Sequence, residues 1–80
     1  MTITDRIEVN PSIMQGKPVI RGTRLTVEYV LGRLAHGAVS DDLLQEYPGL
    51  TGDDIQACFL FASRTLQSTV FMPLQMQTHS

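Results

Sequence analysis

Eighty residues with 42% hydrophobic side chains allow one small domain, whose core supplies about 3–5 kcal/mol. The single cysteine, Cys58, excludes an internal disulfide, and His36 and His79 with no second cysteine leave a structural zinc site without a ligand set. No apolar run reaches the ~18 residues of a membrane span, and Met1 to Arg6 carries no apolar leader, so a cytoplasmic protein stabilised by self-association or a partner is expected. The net charge of −2 is polarised: residues 10–27 carry Lys17, Arg21 and Arg24 and no acid, whereas residues 28–80 carry six acids against Arg33 and Arg64.

In chain order, Ile7-Glu-Val9 alternates as a short strand does. Pro18 to Leu25 is too punctuated by proline and glycine for a helix. Two short strands within residues 7–25, around turns at Gln15-Gly16 and Gly22, are the expected arrangement. Both glycines are expected to serve turns that need positive φ.

Three helices follow, over about 27–36, 41–47 and 52–68. Thr26 reads as the first N-cap, with Glu28 in the first turn, Val27, Val30, Leu31, Leu34 and Ala35 at helical spacing, and His36-Gly37 as the stop. Ser40 reads as the cap of the second helix, which Pro48-Gly49 ends. Thr51 caps the third, with Asp54 completing a capping box. Hydrophobic staples are expected for Leu25 with Val30, Val39 with Leu44 and Leu50 with Ile55. The apolar face of the third helix reads Ile55, Cys58, Phe59, Ala62 and Leu66. Phe59, Leu60 and Phe61 are consecutive, and steps of about 100° cannot point all three into one core, so a dimer or partner interface is expected at Leu60, Phe61, Val70, Phe71, Met72 and Leu74. Residues 1–68 form the domain and 69–80 a C-terminal tail.

No catalytic constellation emerges. Gly16-Lys17 lacks both the upstream glycine and the following Ser or Thr of a phosphate loop. Asp41-Asp42 and Asp53-Asp54 occupy first helical turns, where carboxylates complement the macrodipole. Neither histidine has a triad partner, and Cys58 reads as a small buried hydrophobe. No metal and no cofactor is expected, and the chain does not read as an enzyme.

The second helix, the Pro48-Gly49-Leu50 turn and the third helix have helix-turn-helix spacing, which purely structural three-helix bundles share. The string Gly16-Lys-Pro-Val-Ile-Arg-Gly-Thr-Arg24, then Gly37, Tyr47-Pro48 and Leu50-Thr51, closely resembles the bacterial family catalogued as domain of unknown function 433, from about Ile7 to Ala62. The resemblance implies a mainly α, winged or homeodomain-like three-helix fold led by a short β-hairpin. For some relatives it also implies an antitoxin beside a PIN-like ribonuclease toxin. Gln15 departs from the family's frequent second glycine at that turn, with a stiffer or shifted turn as the consequence.

The third helix opens with Gly52-Asp-Asp-Ile-Gln56, where Asp53 and Asp54 oppose phosphates and only Gln56 offers a base contact. Lys17, Arg21 and Arg24 form the better DNA-contacting arm, or else the solvated face of a hairpin. Two functions follow: an antitoxin or regulator binding a PIN-like toxin and, as a homodimer, operator DNA; or a protein-interaction module that does not touch DNA.

Overall fold

The computed structural model describes residues 5–68. Strand β1 (Ile7–Glu8) pairs antiparallel with β2 (Val19–Ile20), in the register Ile7 to Ile20 and Glu8 to Val19. The connection between them turns through three consecutive left-handed residues, Met14 (φ 49°), Gln15 (φ 60°) and Gly16 (φ 82°). Gln15 therefore adopts the backbone that a second glycine would take without strain. Gly22 (φ 82°) turns the chain after β2, and a lone bridge from Val19 to Thr26 ties the hairpin to the helix that follows.

Helix α1 (Val27–Ala35) starts where the Thr26 hydroxyl accepts from the Tyr29 amide at 2.9 Å. It ends in a Schellman motif: Gly37 (φ 105°) and Ala38 donate to the carbonyls of Leu34 and Arg33. Helix α2 (Ser40–Glu46) begins one residue earlier than its sequence suggests. Val39 is the N-cap, and the Asp42 carboxylate accepts its amide at 3.0 Å, so Ser40 is not the cap. Val39 is 59% exposed, and as the N-cap it does not occupy the N′ position that the expected staple to Leu44 requires. Helix α3 (Gly52–Gln67) carries the full reciprocal box, Thr51 N to Asp54 at 3.0 Å and Asp54 N to the Thr51 hydroxyl at 3.2 Å.

The core lies where α3 meets α1, α2 and β1. Ile7 and Ile20 from the hairpin close it against Val27, Val30, Leu43, Leu50, Ile55 and Cys58. On α3 the buried residues are Asp54, Ile55, Ala57 and Cys58, with Phe61 packed beside them. Phe59 (47% exposed) and Leu66 (57%) do not face the core, so the buried stripe is rotated by roughly one 100° step from the sequence expectation. Asp54, capping α3 and bound to Arg6, lies on the inner face. No helix among the described residues is long and apolar enough to cross a membrane. The expected interface residues Val70, Phe71, Met72 and Leu74, with the rest of the 69–80 tail, lie outside the described residues.

Candidate nucleic-acid interface

The basic segment is laid out by the hairpin. Left-handed Gly16 releases the chain into extended Lys17, whose ammonium sits 3.2 Å from the Glu28 carboxylate. Both side chains are mostly exposed, so the pair contributes little and exchanges readily with another anion. Arg21 donates from its backbone to the Arg6 carbonyl and from Nε to the Asp5 carbonyl at 2.6 Å, which lays its side chain along the entry to β1. Arg24 is exposed and has no ion pair among the described residues.

Lys17 and Arg24 share an open groove of about 480 Å³ with Met14, Leu25, Thr26, Tyr29 and Tyr47. No acid lines it. Gln56 lies on the exposed side of α3 and does not line this groove, so the four sequence-chosen contact residues do not form one cluster.

Two of the lining residues, Tyr29 and Tyr47, belong to a network that joins α1 to α2. The rings of Tyr29 and Tyr47 meet edge to face, with centroids 6.3 Å apart and an interplanar angle of 89°, and their hydroxyls are 2.9 Å apart. Arg33 donates to the Tyr29 hydroxyl at 3.1 Å and grips Glu46 through both terminal nitrogens at 2.7 and 2.8 Å. Its guanidinium carbon is 5.9 Å from the Tyr29 ring centre, a cation–π contact. The Tyr47 hydroxyl, then Arg33, hold the Tyr29 phenol below the usual tyrosine range. Tyr47 moves upward because of the same bond to Tyr29. The Arg33 hydrogen bonds hold Glu46 below the usual carboxylate range. A second open groove of about 420 Å³ is lined by Tyr29, Gly32, Arg33, His36 and Ala38.

The two acids opening α3 differ. Asp54 is buried, and its carboxylate accepts from Arg6 at 3.1 Å as well as from Thr51. Asp53 is 81% exposed, with Arg6 at 3.5 Å. Only Asp53 projects an open negative charge. Cys58 is fully buried, and burial, with Asp54 adding to it, pushes its thiol up to about 11. The His36 ring bonds the Gly32 carbonyl at 2.7 Å as part of the α1 terminus. Among the described residues no group of three or more His, Cys, Asp or Glu is placed to hold a metal ion. Leu60 is 40% exposed on α3, while Phe61, expected at an interface, is half-buried against the core.

Sequence reading missed the parts played by Arg6, Tyr29, Tyr47, Arg33 and Glu46. The one local signal was the four-residue spacing of Tyr29 and Arg33 on α1, which puts both on one face.

Comparison with known proteins places the architecture. The model of a family described as "Protein of unknown function (DUF433)" matches residues 7–62. A crystal structure of a DUF433 member protein from Anabaena variabilis ATCC 29413 superposes with a TM-score of 0.76 at 29% identity, covering 82% of this chain. This chain spans 65% of that protein's length. None of the curated proteins matches.

Proposed function

The chain belongs to the DUF433 family, and on that footing we propose that it is a small cytoplasmic binding protein of the antitoxin or regulator type, not an enzyme. In this reading it neutralises a PIN-like toxin partner and, as a homodimer, binds operator DNA through the hairpin face. The observation that carries the DNA contact is the groove that brings Lys17, paired with Glu28, together with Arg24, which has no ion pair among the described residues, in a chain whose net charge is −2. Arg24 has no ion pair among the described residues, so a phosphate would displace nothing to reach it. Exposed Phe59, Leu60 and Leu66 on α3 support an interface with a second copy or the toxin. The buried Cys58 thiol, the capping role of Asp54 and the structural bond of His36 support a binding role over catalysis.

A protein-interaction module without DNA binding is the second reading. It is favoured by Lys17 already facing Glu28 and by the exposed charge of Asp53 at the start of α3. Co-expression with the neighbouring reading frame decides the partner: co-purification with a small nuclease whose activity the chain suppresses supports the antitoxin role. A duplex mobility shift at low salt, with and without that partner, decides the DNA contact. No shift in either form leaves the second reading.

A further inference from the structure

The groove beside α1 has features that phosphate contact alone does not use. Its lining includes a pair of phenol rings, and Tyr29 stays 41% exposed although Arg33 lies over its ring and Tyr47 meets it edge to face. Met14 and Leu25 add apolar surface to the lining. A volume of about 480 Å³ falls within the roughly 300–1,000 Å³ typical of small-ligand clefts. Cations beside exposed aromatic faces are how proteins hold a nucleotide whose base is free to stack. In a duplex the base faces are already stacked and cannot meet a ring inside a groove.

We infer that this groove binds an unpaired nucleotide of single-stranded nucleic acid, with its phosphate on Lys17 and Arg24 and its base stacked on Tyr29 beside Tyr47. The inference rests on the reading of the hairpin face as the nucleic-acid-binding surface and specifies the strand state bound there. Entry of the phosphate displaces the Glu28 carboxylate from Lys17, so Glu28 acts as a weak internal competitor.

The chain has two tyrosines, both in this groove, so the full chain made with 3-fluorotyrosine gives a fluorine spectrum that reports on the groove alone. It is titrated with oligothymidylate of about 12 nucleotides, long enough to fill one site, with a duplex of the same length, and with oligoglutamate. Both resonances should shift and saturate with the single strand. Tyr29→Leu should weaken binding roughly 5- to 150-fold, the worth of one stacked base. Arg24→Gln, at a side chain with no ion pair among the described residues, should weaken it too. Glu28→Gln should tighten it, by up to roughly fivefold, a gain that a merely structural groove would not give.

Resonances that stay still with the single strand while the duplex binds overturn the inference and leave the operator reading standing. Single-strand binding without duplex binding upholds the inference and removes operator DNA. Silence with both removes both. Oligoglutamate binding as tightly as oligothymidylate overturns the inference, because the groove then reads charge alone.

Discussion

Replacing Asp54 with alanine should cost this domain much of its stability, whereas the same change at its neighbour Asp53 should cost almost nothing. The Asp54 carboxylate accepts the Thr51 amide at 3.0 Å and the Arg6 guanidinium at 3.1 Å, with its side chain 12% exposed. Losing this half of the capping box removes about 1 kcal/mol. A hydrogen bond to a charged group contributes about 1.5–3 kcal/mol, but the Arg6 side chain is 40% exposed, so screening reduces that to about 1 kcal/mol. The total, about 2 kcal/mol, is near half of what such a small core provides. At about 4–8 °C per kcal/mol the melting temperature should fall by about 8–16 °C. Asp53, 81% exposed and 3.5 Å from Arg6, should stay within about 0.5 kcal/mol of the parent. Circular-dichroism melts of both variants, with Arg6→Ala to close a double-mutant cycle, measure the difference. Arg6 should couple to Asp54 and not to Asp53. Equal losses at the two aspartates, or a neutral Asp54→Ala, would refute the reasoning.

Backbone handedness gives a second test. Gly22→Ala, at φ 82° with open space around the added methyl, should lose about 1 kcal/mol from strain alone, while Gly49→Ala, outside the left-handed region, should be neutral or slightly stabilising. Gln15→Gly should raise the melting temperature slightly, because left-handed strain of about 1–2 kcal/mol outweighs the added freedom of the unfolded chain. For pH, the folded Glu46 carboxyl titrates below its unfolded value of about 4.3, so the Arg33 pair contributes fully above that value and is lost as pH falls through the lower folded one. The melting-temperature gap between parent and Glu46→Gln should therefore be present at neutral pH and close on acidification; a gap independent of pH would contradict the pairing. Sedimentation at micromolar concentration should show a species heavier than 8.9 kDa that Leu60→Asp returns toward the monomer, and a monomeric parent would remove the α3 interface.

The local signals in the sequence were the dependable ones. Thr26, Thr51 with Asp54, and Gly37 act within a few residues of themselves, and each sits where its chemistry requires. Ser40 misled because Val39 precedes an aspartate, Asp42, that caps its amide from within the helix, which frees the serine to enter the first turn. The core stripe of α3 was misplaced because periodicity counts Phe59 and Leu66 as inward and an aspartate as outward. Asp54, whose carboxylate is capped and paired with Arg6, is buried instead, and a buried acid with such partners is not visible to periodicity. The groove was legible only in halves. Lys17 and Arg24 stand out as cations in an acid-free segment. Their meeting with Tyr29 and Tyr47 depends on how α1 and α2 pack, as does the Arg33–Glu46 pair thirteen residues apart in sequence. Such pairings are set by the tertiary fold, and no spacing rule in one sequence encodes them.

The most direct test of the hairpin face as a nucleic-acid surface is the salt dependence of duplex binding, followed by anisotropy from low to moderate ionic strength. If Lys17, Arg21 and Arg24 from two protomers each meet a phosphate, log K should fall against log salt with a slope near −5, from roughly −0.9 per phosphate. Arg24→Ala should flatten the slope by about 1.8 per dimer and weaken all sequences alike, whereas Gln56→Ala should relax sequence preference and leave the slope intact. No binding at low salt, or a slope that Arg24→Ala does not change, would contradict it.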